Sequence, residues 1–92
     1  MAKILTLDGL DDAIVGVAHR AAQDPVLVYD RDLIIKNLMQ DMSEEDAVDF
    51  FDYNILQLFA GDGTPVILFP MSPEESIEWA SQYNEGGEPD GD

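Results

Sequence analysis

The stretch DMSEEDAVDFFDYNILQLFA, residues 41–60, carries the strongest helix signal in the chain, and the other elements are arranged around it. Ser43 followed by three acids approximates a capping box and matches the positive end of a helix dipole. Apolar residues recur at helical spacing as far as Phe59, and Gly61 then provides a stop signal. The sequence therefore predicts a central helix that begins at Ser43 and ends at about Phe59.

At about 100° per residue, the central helix has three different faces. The predicted core face consists of Ala47, Val48, Phe51, Ile55, Leu58 and Phe59. On the opposite side lie three carboxylates, here called the acidic row, with Asp46 beside them: Glu45, Asp49 and Asp52. Between or beside these acids, and outside the core face, lie the three residues of an aromatic flank: Phe50, Tyr53 and Leu56. Acids interleaved with apolar side chains are typical of an interface, in which the apolar groups give affinity and the charges steer the partner.

The sequence leaves three interpretations of the aromatic flank open. It can pack beneath Trp79 or Tyr83 of the last helix, form a homodimer contact, or bind a different protein. Trp79 and Tyr83 form an aromatic pair at i, i+4 spacing beside Glu75 and Glu78. This pair is either a second part of the same surface or a lid over it.

The net charge of −16 is distributed unevenly along the chain. Residues 1–36 hold all four bases against six acids, whereas residues 37–92 hold fourteen acids and no Lys or Arg. A potential of this sign repels nucleic acid and anionic membranes and steers a basic partner towards residues 37–92. The predicted partner is therefore a basic protein, with no direct binding of nucleic acid or membrane.

The rest of the chain reads as short elements joined by short loops. Strands are predicted at Lys3–Leu7, Val26–Tyr29 and Pro65–Phe69. Asp30 caps a helix over 31–40, and a full capping box at Ser72 starts a final helix over 73–82, with Ile77 and Ala80 facing inward. The predicted order is β-α-β-α-α-β-α, with three short strands and three to four helices, which is an α+β or small α/β fold.

Residues 10–22 are compatible with two structures. Acids near the start, the alanines, and His19 with Arg20 in the last turn favour a helix. The partly β-branched run Ala13–Ala18 allows a strand instead. We expect the helix, within one compact domain over residues 1–83, followed by a disordered acidic tail over residues 84–92.

Five pieces of the chain, in order, carry a resemblance to a known group of proteins. They are Asp12-Ala13-Ile14-Val15-Gly16-Val17, Val26-x-Val28-Tyr29-Asp30, Ser43-x-Glu45-x-Ala47, Phe51-x-Tyr53-Asn54 and Gly61-x-Gly63-Thr64-Pro65-Val66. Together they resemble a group of short uncharacterised proteins of tailed bacteriophages, over roughly residues 10–69. The resemblance implies a small soluble protein made in the cytoplasm of an infected bacterium. Such phage proteins often bind and inhibit host machinery or defence systems, and several unrelated ones are acidic mimics of nucleic acid.

No catalytic, metal-binding or cofactor motif stands out from the sequence. The single histidine, His19, is expected to be a helix-dipole partner, and Ser43 and Ser72 are explained as helix caps rather than nucleophiles. Asp8, Asp11 and Asp12 do not have the spacing of a calcium loop. The glycines at 61 and 63 form a turn that lacks the Lys of a phosphate loop.

These features predict a non-enzymatic, phage-encoded acidic protein that occupies a basic surface of a host nucleic-acid-binding or defence protein. The partner-binding residues are predicted to be Glu45, Asp46, Asp49, Phe50, Asp52, Tyr53, Leu56, Glu75, Glu78 and Trp79. The alternative is a small accessory or structural phage homo-oligomer, such as a homodimer, whose acidity serves solubility only.

Overall fold

The computed structural model describes residues 3–58 and 60–87, and it contains one three-stranded sheet with helices packed against it. The strands are β1 (Ile14–Ala18), β2 (Val26–Asp30) and β3 (Val66–Leu68). The helices are α1 (Arg31–Leu38), α2 (Glu44–Asn54) and α3 (Pro73–Gln82), with a 3₁₀ turn at Asp11–Ala13 and a π-helical turn at Tyr83–Gly87. The predicted fold class, a mixed α+β domain with three strands, is confirmed.

The sheet has β2 at its centre. β1 pairs with β2 in an antiparallel hairpin, with an irregularity in the register between Ile14 and Gly16. β3 pairs with the other side of β2 in parallel, after a crossover that contains both α1 and α2. β3 is therefore an edge strand, which suits Pro65 immediately before it.

The core lies between one face of the sheet and the two crossover helices. Its fully buried centre is formed by Tyr29 of β2, Ile34 of α1 and Phe51 of α2. The remaining buried members of this cluster are Leu10, Ala13, Ile35, Ala47 and Ile55. No side chain of α3 is buried, so the core is completed without the last helix.

The three predicted helix starts are confirmed by their capping hydrogen bonds. Asp30 accepts from the Leu33 backbone N–H, and Ser43 accepts from that of Asp46. Ser72 and Glu75 form the complete reciprocal capping box. The helix starts were predictable because a cap is a contact between residues three apart in sequence.

The first 22 residues differ from the prediction. Lys3–Leu7 is not a strand; it is irregular, and Leu5 N donates a hydrogen bond to Gly63 O at 3.1 Å. The helix expected over residues 10–22 is wrong, and the strand alternative is confirmed as β1. Pairing with β2 outweighs the local helix signals, because the propensity of a partly β-branched segment yields to tertiary context. His19 consequently follows a strand instead of lying in the last turn of a helix, and it is exposed, so the predicted role as a partner of that helix's dipole is wrong.

The central helix ends earlier than predicted. α2 stops at Asn54, and its last turn widens, with the backbone N–H groups of Ile55 and Leu56 both donating to the Phe51 carbonyl. Leu58 was predicted to be core but is 43% exposed, because it lies beyond the helix and the turn that follows it. Phe59, the predicted helix end, lies outside the described residues.

The last helix also differs in orientation from the prediction. Ile77 was expected to face inward but is 68% exposed, whereas Ala80 is half-buried as expected. Residues 84–87 of the predicted tail belong to the π-helical turn, and residues 88–92 lie outside the described residues. The disorder predicted for residues 84–92 therefore stays a prediction.

Candidate functional site

The acidic row is positioned by the burial of the opposite face of α2. Ala47 and Phe51 are completely buried, which turns Glu45, Asp49 and Asp52 towards solvent. On a helix, residues three or four positions apart are neighbours, separated along the axis by about 4.5–6 Å. The three carboxylates therefore form a continuous line of negative charge on one side of the molecule.

The aromatic flank is exposed rather than covered. Tyr53 is 75% exposed, Phe50 is 43% exposed and Leu56 is 44% exposed. Because Tyr53 is so open to solvent, the interpretation in which α3 packs over the flank is wrong. Leu56 lies in the turn after α2, so the flank continues from the helix into that turn.

Phe50 also forms one wall of a shallow groove. The groove has a volume of about 410 Å³ and lies between α2, the end of α1 and the N-terminal segment around Leu7–Leu10. The Asn37 side chain donates to the Gly9 carbonyl at 3.2 Å, which ties that segment to α1. The Phe50 side chain thus lies at the edge of this groove, and Tyr53 is the more exposed of the two aromatic residues.

The other predicted site residues lie on α3. Glu75, Glu78 and Trp79 are exposed, and Trp79 stacks on Tyr83 with a centroid distance of 5.3 Å and an interplanar angle of 27°. Glu75 is engaged in the capping box, and its pKa is lowered from the ordinary value of 4.5 by the hydrogen bond from the Ser72 backbone N–H and then by the Ser72 side chain. Glu78 contacts Gln82 at 3.4 Å.

A second apolar feature was missed by the sequence reasoning. Ile67, Phe69 and Met71 lie on one side of a groove of about 590 Å³, and α3 forms the other side with Ser76, Trp79 and Ala80. We call this the α3 groove. Sequence spacing could have indicated each wall separately. Alternate residues of an extended segment share a face, which groups Ile67, Phe69 and Met71. Residues three or four apart share a face of a helix, which groups Ser76, Trp79 and Ala80. Nothing local in the sequence indicates that these two faces meet.

Phe69 connects the α3 groove to α2. Its ring lies edge-to-face with the ring of Phe51, with 6.1 Å between the centroids. The Arg31 guanidinium lies 5.9 Å from the Phe69 ring centroid and 6.0 Å from that of Phe51, and its charge is paired with Asp32 at 3.2 Å. The groove wall is therefore fixed to the core.

Two serines that were considered as nucleophiles have structural roles. Ser43 and Ser72 serve as helix caps, as predicted. Among residues 3–58 and 60–87, no group of three or more His, Asp or Glu side chains is arranged to hold a metal ion. Within the same residues, no helix is both long enough and apolar enough to cross a membrane.

Comparison with protein-family models, with curated proteins and with solved structures gives no match for this chain. Its own surface therefore provides the observations that bear on its function.

Proposed function

We propose that the chain is a non-enzymatic, phage-encoded binding protein that inhibits a host nucleic-acid-binding or defence protein by occupying its basic surface. The observation that carries the proposal is the exposed acidic row of α2 beside an exposed aromatic flank, in a part of the sequence without Lys or Arg. A helix face that contacts only solvent is accounted for by charged side chains and has no need of exposed aromatic ones. Exposure of Tyr53 and Phe50 next to those charges supports an interface instead.

The charge arrangement supports mimicry of nucleic acid. Surfaces that bind nucleic acid present Lys and Arg to a regular line of phosphates. The acidic row presents regularly spaced carboxylates along a rigid helix, on a spacing comparable to that of successive phosphates. Its field would speed association with such a surface and would exclude nucleic acid from it.

The apolar part of the site supplies what the charges lack. Exposed ion pairs give little net affinity, and salt screens them. Tyrosine and phenylalanine bury a large area with few rotatable bonds, so Tyr53 and Phe50 are the predicted anchors of the complex.

The first experiment is capture of a partner from bacterial lysate at increasing salt concentrations. We expect a basic protein at low salt, with capture weakened as salt rises and reduced by a competing DNA duplex. Failure to capture a basic protein, or capture that is indifferent to salt, would contradict the proposal.

A matched pair of variants makes this experiment specific to α2. Glu45→Gln, Asp49→Asn and Asp52→Asn together remove three charges from the acidic row. Asp11→Asn, Asp12→Asn and Asp62→Asn remove three exposed charges elsewhere. We expect the first variant to lose at least about tenfold in affinity for the partner and the second to lose little. Salt at physiological concentration screens distant charges, so carboxylates in contact with the partner affect binding more than the net charge of the molecule does. Equal losses would mean that the total charge, rather than the row, determines binding.

A second candidate is a homo-oligomeric accessory protein, and the uncovered face of the sheet favours it. Ile67 packs towards the core, so Val66 and Leu68 face the opposite side, where they are 37% and 43% exposed. Val28 is the register partner of Val66 and shares this face. The strands carry no charged residue except Asp30, so two copies could meet here with their acidic helices far apart.

Light scattering over a range of concentrations distinguishes the two candidates. A stable dimer that Leu68→Lys dissociates, together with unchanged phage fitness in the acidic-row variant, would favour the accessory protein. A monomer at all concentrations would count against it.

A further inference from the structure

We propose that the α3 groove is the docking site for a basic, amphipathic segment of the partner protein, with a large apolar side chain in the groove and Lys or Arg residues against the glutamates of α3. This inference rests on the proposed function and names a second contact that it does not require. The acidic row and the aromatic flank lie on α2 and the turn that follows it, whereas the groove lies between the end of β3 and α3.

The groove has the size and lining of a binding site. Its volume of about 590 Å³ lies within the range of roughly 300–1,000 Å³ that is typical of ligand clefts. Phe69, Met71 and Trp79 are 44%, 46% and 55% exposed, which is unusual for three large apolar residues on adjoining walls. An open groove of this kind suits side chains from a peptide segment.

The walls are formed in advance of binding. Phe69 is held by the edge-to-face contact with Phe51, which is fully buried. Trp79 is held by its stacking on Tyr83, and the capping box fixes the start of α3. Rigid aromatic walls lose little conformational entropy on binding, so contact with them is efficient.

The charge of α3 selects the occupant. The helix carries Glu74, Glu75 and Glu78 and no Lys or Arg, and Glu85 follows in the π-helical turn. An acidic or neutral segment would leave these charges unpaired, whereas a basic segment neutralises them. Stacked Trp79 and Tyr83 add a surface to which Lys and Arg are attracted through cation–π contacts.

The chain itself is a poor occupant. Residues 88–92, Glu-Pro-Asp-Gly-Asp, contain no large apolar side chain that could fill the groove. A second copy would bring another net charge of −16 against the acidic side of the first. The groove therefore fits a different protein that has a basic segment.

The chain contains its own reporter for this site. Trp79 is the single tryptophan, and it forms part of a groove wall. Burial of its ring by an occupant should shift its emission to shorter wavelength and protect it from acrylamide quenching. The probe is a helical peptide of about twelve residues with Leu on one face and Lys on the other. Two control peptides replace either every Lys by Glu or every Leu by Ser.

We expect the Leu/Lys peptide to shift and protect Trp79, and the two control peptides to do neither. Binding of the Lys/Ser peptide with equal protection would show that charge alone attracts the peptide, and it would overturn the inference. An emission maximum that shifts with protein concentration in the absence of peptide would assign the groove to a second copy, and it would also overturn the inference.

A matched pair of variants tests the location. Ser76→Arg places a long charged side chain in the groove, whereas Ser81→Arg makes the same change on the exposed side of the same helix. We expect the first to weaken peptide binding by at least about tenfold and the second to change it by less than about threefold. Met71→Ser, at an exposed wall position, provides a second test should the arginine disturb the helix. Undiminished binding to Met71→Ser and Ser76→Arg would overturn the inference.

The acidic-row variant separates this inference from the proposed function. We expect the peptide to protect Trp79 in that variant as well as in the natural chain, since the row lies on α2. If the acidic-row variant no longer captures the lysate partner but Ser76→Arg still does, the result would agree with the proposed function and would overturn the α3 groove as a docking site. A peptide that binds the groove when the lysate yields no basic partner would contradict the proposed function alone.

Discussion

The backbone N–H of Leu7 donates a hydrogen bond of 2.8 Å to the phenolic oxygen of Tyr29, a residue that is completely buried in the centre of the sheet. This bond joins the irregular N-terminal segment to β2 across 22 residues of sequence. It gives the buried tyrosine a partner for its hydroxyl group, and it holds Leu7 against the edge of the core.

Tyr29→Phe should therefore lower the free energy of unfolding by about 1 kcal/mol, because the Leu7 N–H loses its acceptor while the ring remains packed. Urea denaturation followed by far-UV circular dichroism measures this change. Tyr53→Phe is the matched control: its ring is 75% exposed, so its stability should change by less than about 0.5 kcal/mol. Equal effects of the two substitutions would contradict the assignment.

Phe50 and Phe51 are adjacent in sequence but differ in their environments. Phe51→Ala should lower the free energy of unfolding by about 3–5 kcal/mol, because it leaves a cavity in the core and removes the edge-to-face contact with Phe69. A loss of this size is comparable to the whole stability of many small domains.

Phe50→Ala is the control for that prediction, since its ring is 43% exposed and a smaller loss is expected. It should instead weaken binding of the captured partner. Thermal unfolding of the two variants in parallel measures the difference, and a larger loss for Phe50→Ala would place the wrong phenylalanine in the core.

Gly63 is required because the N-terminal segment crosses directly over it. A Cβ at this position would collide with the backbone carbonyl of Lys3, which cannot move as a flexible side chain would. Gly63→Ala should therefore lower the free energy of unfolding by about 1–3 kcal/mol through overpacking. Gly16→Ala, in β1, meets nothing within 4 Å and should be neutral or slightly stabilising. Chemical denaturation of both variants tests the contrast; a neutral Gly63→Ala would show that the segment does not pass there.

The capping box gives α3 a pH dependence of known sign. The pKa of Glu75 is lowered on folding, so its stabilising effect is present above the ordinary value of 4.5 and is lost as the pH falls through the lower, folded value. Carbon-detected NMR titration should show a midpoint for Glu75 below the ordinary value of 4.5. Ser72→Ala should raise that midpoint part of the way, because the hydroxyl contact is removed while the backbone donor remains.

The same substitution should loosen α3 without unfolding the core. Hydrogen exchange in the first turns of the helix should become about fivefold faster, as expected for loss of an N-cap, while exchange in β2 stays unchanged. A change in β2 would mean that α3 contributes to the core after all.

The parts of the fold that sequence could predict are those governed by near neighbours. Asp30, Ser43 and Ser72 were identified as caps because each bonds to a backbone N–H three residues away. The exposure of Glu45, Asp49 and Asp52 followed from helical periodicity once Ala47 and Phe51 were placed inside.

The parts that sequence could not predict depend on distant contacts. β1 is a strand because it pairs with β2, and Ala22, whose presence favoured a helix, lies in a turn with a φ of 63°. α2 ends at Asn54 because the chain must leave the helix layer to reach β3, although Ile55 and Leu58 continue the apolar spacing of the core face. The α3 groove arises where an extended segment and a helix meet, and neither segment encodes that meeting by itself.

The absence of α3 side chains from the core has a consequence for how the protein can evolve. A substitution in the core is limited by the fold, whereas a substitution on α3 outside its capping box is expected to cost less stability, because no side chain of α3 is buried. The surface of the last helix can therefore change in sequence while the sheet and the two crossover helices stay the same. Under the proposed function, this separation would allow recognition of a host protein to be renewed on an unchanged scaffold.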